Sequence, residues 1–186
     1  MRHEISIGEV TMEEMRKASI HDVAKYSVCR LQQLGASISP LKLQKILYYI
    51  QAWHMVYFDK QSLFDEEPEA WVNGPVYREV YEEYKSVGIY DQILPSFFSL
   101  TQDTLASEVT KLHEGMNLCQ VQWDFLEATY AHYGMMDHDR LVMLTHSERP
   151  WNIARNGKAP FEYSDQKIKL EDMYNFYKGL LAKTKA

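Results

Sequence analysis

The chain has 186 residues, 46% of them hydrophobic and 13% aromatic. That is enough for one domain with a substantial core, and it excludes a largely disordered chain. The formal net charge of −6 lacks the basic footprint of an unaided nucleic-acid binder and does not favour docking on an anionic membrane. MRHEISIGEV has no apolar signal-peptide core, and no apolar run approaches the ~20 residues of a membrane span. A cytoplasmic protein is therefore expected, with Cys29 and Cys119 as buried free thiols in apolar helical text.

Residues 1–18 are short of large apolar side chains and mix both charge signs, so a flexible N-terminal arm is expected there. The domain proper is expected to span 19–186. A first helix should start near Ser19 or His21 and end at Gly35, a C′ residue. In SISPLKLQKILYYIQAWHMVYF, Ser39 suits an N-cap and Pro40 a first helical position. Leu43, Ile46, Leu47, Ile50, Trp53 and Tyr57 recur at helical spacing, with Tyr49, Ala52 and Val56 beside them. A helix so apolar over its girth should be central.

Glu69 to Val72 reads as a short extended piece. Asn73-Gly74-Pro75 reads as a tight turn launching a helix with Pro75 near its first position. That helix carries Tyr77, Tyr81 and Tyr84. Residues 89–118 are less regular, with one or two helices from Thr104 to Tyr133 broken near Gly115 and Asn117. Gly134 should end the second. A short helix over Asp139 to Leu144, a loop at Asn156-Gly157 and a last helix from Lys169 complete the chain. The fold class is mainly α: a compact single-domain helical bundle around one central apolar helix, with at most a few short strands.

The stretch THSERPW, Thr145 to Trp151, crowds histidine, serine, glutamate and arginine. A catalytic triad needs its members to converge in space, and helical neighbours point about 100° apart. The pattern G-x-S-x-G is absent, so a helix junction is the favoured reading. In it Thr145 or Ser147 caps, Pro150 restarts the helix and Trp151 pins it. His146 is expected to close a buried hydrogen-bond network against the core helix rather than attack a substrate. No H-E-x-x-H, C-x-x-C or phosphate-loop pattern occurs, and no metal or cofactor is expected. Asp137-His138-Asp139 and Arg155-Asn156-Gly157-Lys158 read as solvated loop charge. His54 reads as a hydrogen-bonded core histidine.

Two surfaces need weighing. A helix-turn-helix would have Lys42, Gln44, Lys45 and Gln51 on a groove-reading helix whose remainder is strongly apolar, which disfavours DNA binding. Trp71, Tyr77 and Tyr81 stand evenly between an aromatic core and a protein interface, where such side chains are enriched.

ISPLKLQKILYYIQAWH, LFDEEPEAWVNGPVYREVYEEYKSVG and LTHSERPWNIAR, in that order, resemble the Panacea-domain family. These are the SocA-like antitoxins, also described as phage-associated GepA-like proteins. The likeness covers roughly Val23 to Lys178 and leaves out the first 20 residues. Its motif residues fall on Pro40, Leu43, Gln44, Lys45, Tyr48, Trp53, Trp71, Gly74, Pro75, Val76, Tyr81, Thr145, His146, Pro150 and Trp151. Arg149 departs from the family, where a small residue is commoner. The resemblance implies a non-enzymatic antitoxin of a two-gene module often carried on prophages. Such proteins bind a cognate protein toxin, and members pair with many unrelated toxins. A proteolytic adaptor, delivering the toxin to a protease, and a DNA-binding autoregulator are the alternatives. Trp71, Tyr77, Arg78, Tyr81 and Arg149 are the expected partner anchors.

Overall fold

The computed structural model describes residues 15–184. It contains helices α1 (Ile20–Gln33), α2 (Pro40–Tyr57), α3 (Arg78–Tyr84), α4 (Gln102–Met116), α5 (Gln120–Tyr133), α6 (His138–Ser147), α7 (Arg149–Arg155) and α8 (Leu170–Thr184). A hairpin of β1 (Glu69–Trp71) and β2 (Gly74–Val76) lies between α2 and α3. The mainly helical class with minimal strand is as the sequence predicts. The N-terminal arm falls mostly outside the described residues. Residues 15–18 already run against the body: Gln122 exchanges two hydrogen bonds with the Arg16 backbone, and the Ala18 amide donates to the Leu63 carbonyl.

Local chemistry sets the helix ends. Past α1, the Gly35 amide donates to the Gln32 carbonyl and the Ala36 amide to the Leu31 carbonyl, with Gly35 at φ +79°. This is a Schellman closure, and it uses glycine's freedom at positive φ. Ser39 caps α2 by accepting the Lys42 amide at 3.2 Å, with Pro40 at the first position. Asn117, at φ 50°, separates α4 from α5, and Gly134 caps α5.

Helix α2 is the core, packed against α1, α3, α5, α6, α8 and β2. Leu43, Ile46, Leu47 and Ile50 are fully buried, each stabilising the fold by about 1.5–3 kcal/mol. Its polar side is buried too. Lys42 donates to the carbonyls of Ser37 and Gly134, and Gln51 holds the Leu63 amide and the Phe64 carbonyl. His54 Nδ1 donates to the Gln61 carbonyl at 2.7 Å and its Nε2 accepts from Gln122 at 3.0 Å, as expected of a core histidine. Burial drops its pKa to about 4.

Pro75 does not open a helix. It stands in β2 opposite Ala70, and α3 begins three residues later, with Tyr77 as N-cap. Trp71 pairs with Gly74 across the turn Val72-Asn73. The Ala70 amide points away from β2 to the Gln166 carbonyl, so Pro75 faces a position where no ladder donor is needed. The segment before α8 lies along the other edge of β1, bridging Glu69 to Lys167.

Candidate functional site

The motif residues converge where the hairpin meets α2, α6 and α7. Lys45, fully buried, donates through Nζ to the Pro75 carbonyl at 3.0 Å. Gln44 accepts the Tyr77 amide at 2.7 Å and donates to its carbonyl at 3.3 Å. Gly74 lies at φ +96°, and a methyl group there would stand 2.6 Å from Lys45 Cε and 2.8 Å from Thr145 Oγ1. Close approach and positive φ both demand glycine. Trp151 Nε1 donates to the Trp71 carbonyl at 3.0 Å, pinning α7 to the hairpin as its predicted role requires. Burial without a carboxylate partner drops the Lys45 pKa to about 7.

THSERPW joins two helices, but its cap is neither Thr145 nor Ser147. Both belong to the last turn of α6, where their hydroxyls return to the Val142 and Leu144 carbonyls. Glu148 ends α6 and begins α7. Its carboxyl turns inward, accepting the Tyr49 hydroxyl at 3.0 Å and the Tyr177 hydroxyl at 2.5 Å. Burial lifts its pKa to about 7, against the opposing pull of those two hydrogen bonds. His146 stacks on Trp151 at 4.2 Å, with its buried Nε2 unpartnered among the described residues. Burial, then the Lys45 charge, lowers its pKa. It therefore leans on the junction, and its hydrogen bond to the Val72 backbone ties it to the hairpin turn rather than to the core helix. His146, Ser147 and Glu148 point to three different places and form no triad.

The outer side of the hairpin is different. Glu69, nearly buried, receives Arg78 through Nε at 2.9 Å and Nη2 at 2.6 Å, and Trp71 Nε1 at 2.7 Å. Arg78 lies 5.4 Å from the Trp71 ring, and Tyr81 meets that ring edge-on at 4.8 Å. Hydrogen bonds to Glu69, then to the Tyr163 hydroxyl, raise the Arg78 pKa and keep it charged. Trp71 and Tyr81 are half-buried, and Arg78 is exposed. Tyr163, 63% exposed on the loop before α8, reaches Arg78, and the same loop displays Phe161 at 89% exposure. Arg155, expected to be solvated, is buried instead. It holds this loop through the Ala159 and Glu162 carbonyls and ties it to Ala70 of β1.

Of the expected anchors, Trp71, Arg78 and Tyr81 thus form one cluster. Tyr77 is fully buried, edge-on to Phe64 at 5.3 Å, and offers a partner no surface. It points inward because both of its backbone groups are held by Gln44. Arg149 lies apart, in a groove between α7 and α8. Phe161 and Tyr163 escaped sequence reading because they follow no periodic pattern, and it is Arg155 that holds the backbone of the loop carrying them. Lys42, Gln44, Lys45 and Gln51, the side chains a DNA-reading α2 would present, are all buried and bonded to the chain's own backbone. That helix cannot serve as a recognition helix.

The structure is thus that of a mainly helical domain closed by a short hairpin, with its shared motif folded into the closure. Residues 43–152 match the family model described as antitoxin SocA-like, Panacea domain, and the chain belongs to that family. The matched span is narrower than the likeness read from Val23 to Lys178, leaving α1 and α8 outside it. No curated protein and no solved structure matches the chain. No described helix is long and apolar enough to cross a membrane.

Proposed function

We propose that this protein is the antitoxin of a type II toxin–antitoxin pair and neutralises a cognate toxin by binding it directly, without catalysis. Family membership supports the antitoxin role. The observation that carries direct binding is the surface of Trp71, Arg78, Tyr81, Phe161 and Tyr163, held in place by the buried groups Glu69 and Arg155. Aromatics around an arginine, with Trp71 and Arg78 already held by Glu69, are what a binding hot spot needs, because little side-chain entropy of those two remains to be lost. A stable complex would bury about 1,200–2,000 Å² around them. The divergence of His146, Ser147 and Glu148 supports a non-catalytic mode.

The test is co-expression with the neighbouring reading frame. That frame should be toxic alone, rescued by this protein, and recovered with it as a complex. Trp71→Ala and Phe161→Ala together should weaken capture by about 100-fold or more. Phe161→Ala alone, at an exposed ring, should leave the melting temperature nearly unchanged, whereas Trp71→Ala also removes a donor from Glu69 and lowers it. A non-toxic neighbour, or two products that do not co-purify, would sink the proposal. The toxin's half-life in the same cells separates simple neutralisation from delivery to a protease: only the latter shortens it.

A further inference from the structure

Away from the hairpin, α7 and α8 enclose an open groove of about 360 Å³. Ile153, 44% exposed, Phe176 and Leu180 supply its apolar floor, and Arg149 and Lys183 its cations. Two features have no explanation within the chain. Gly179 occupies the interior of α8, where glycine weakens a helix, yet a Cβ built there meets nothing within 4 Å. Neither packing nor positive φ asks for glycine at that place. Arg149 is exposed and makes no hydrogen bond or ion pair with a described residue. Its charge goes unused within a chain of net charge −6.

Both features make sense if something else fills the groove. A glycine facing open space lets another backbone approach a helix more closely than any side chain would permit. Phe176 and Leu180, four residues apart on α8, together with Ile153 and the flanking cations, match the surface that receives an amphipathic helix. The groove holds two cations against the single acid Asp172, so its charge favours an occupant bearing carboxylates.

We propose that the α7–α8 groove docks an amphipathic helix of the partner protein, its apolar face on Ile153 and Leu180, its backbone against Gly179, and a carboxylate on Arg149. Calling that partner the toxin rests on the antitoxin reading above. The surface is distinct from the hairpin cluster, so the partner would be gripped at two places, with Arg149 tuning which partner fits.

The experiment uses the full chain co-expressed with the product of the neighbouring gene. Gly179→Gln should weaken capture by about 30-fold while leaving the melting temperature equal or higher, since the side chain enters open space on a helix that favours it. Arg149→Glu should weaken capture by about tenfold, with restoration by a Glu→Lys change on the partner's docked helix. A photo-crosslinking residue in place of Ile153 should label the partner. If Gly179→Gln binds as the native chain does while the Trp71→Ala, Phe161→Ala variant does not, the groove proposal falls and the antitoxin reading stands. If the native pair fails to associate, both fall. Crosslinks to a second copy or to residues 1–14 would show a different occupant and overturn the proposal.

Discussion

The polar side of α2 and the outer side of α7–α8 carry similar residue types and use them in opposite ways. On α2, Lys42, Gln44, Lys45, Gln51 and His54 are buried, and each holds the backbone of a neighbouring segment. On α7–α8, Arg149, Ile153, Gly179 and Lys183 answer no demand inside the chain. The shared motif is concentrated on the first surface and nearly absent from the second. The motif residues Gln44, Lys45 and Trp151 keep the hairpin closed on the central helix and on α7.

The contrast breaks most severely at Gly74. Gly74→Val sets a β-branched side chain at φ +96° against Lys45 and Thr145. Lys45 cannot swing away, because it is fully buried and bonded to Pro75. The expected loss is about 4 kcal/mol, combining backbone strain with overpacking, read as the shift in a urea unfolding midpoint. A loss below about 1 kcal/mol would mean the hairpin can lift off α2 cheaply.

Next in size is a pH effect. Glu148 has its pKa raised to about 7, so its share of stability is full below its ordinary value near 4.5 and is lost as pH rises through about 7. Lys45 is depressed to about 7. Its share is full above its ordinary value of 10.5 and is lost as pH falls through about 7. Stability should therefore dip near neutrality, each limb on the order of 3 kcal/mol. Unfolding free energies across pH 4–10.5 test this range. Glu148→Gln should flatten the acid limb and Lys45→Met the alkaline limb. If neither substitution changes the profile, the two groups are not titrating in the folded core.

Gln44→Leu should cost about 2–3 kcal/mol, because it strands the amide and carbonyl of Tyr77 away from water. The same exchange at exposed Gln33 of α1 should fall within about 0.5 kcal/mol. Chemical denaturation of the two variants side by side shows whether buried backbone holding sets the cost.

What the sequence made legible was whatever local chemistry determines. Gly35, Ser39-Pro40, Asn117 and Gly134 mark helix ends through atoms within a few residues, and the apolar spacing of α2 marks it as central. The failures are tertiary. Pro75 looked like a helix start because nothing nearby reveals that Lys45, thirty residues earlier, binds its carbonyl. Glu148 was overlooked as the junction residue because its partners are 99 and 29 residues away. Arg155 looked like a solvated turn because the carbonyls that bury it come from a loop with no regular pattern. The aromatic partner surface was half visible: Trp71 and Tyr81 by composition, Phe161 and Tyr163 only once that loop was in place.

The smallest effect is also the one that divides the two surfaces most cleanly. In the interior of α8, Gly179→Ala should stabilise the isolated protein by about 0.5–1 kcal/mol, through helix propensity and a less flexible unfolded chain. No internal contact opposes it, because the added methyl meets nothing within 4 Å. On α2 an improvement of this kind is not available, since its buried polar side chains already hold a backbone partner. A protein that keeps a correctable weakness in a helix gives up stability for some other use of the position. Calorimetry of the free protein should therefore show a higher melting temperature for Gly179→Ala, and the same variant should lose affinity for its partner. A variant both more stable and equally tight in binding would mean that Gly179 is tolerated drift and that α8 is an ordinary solvent-facing helix.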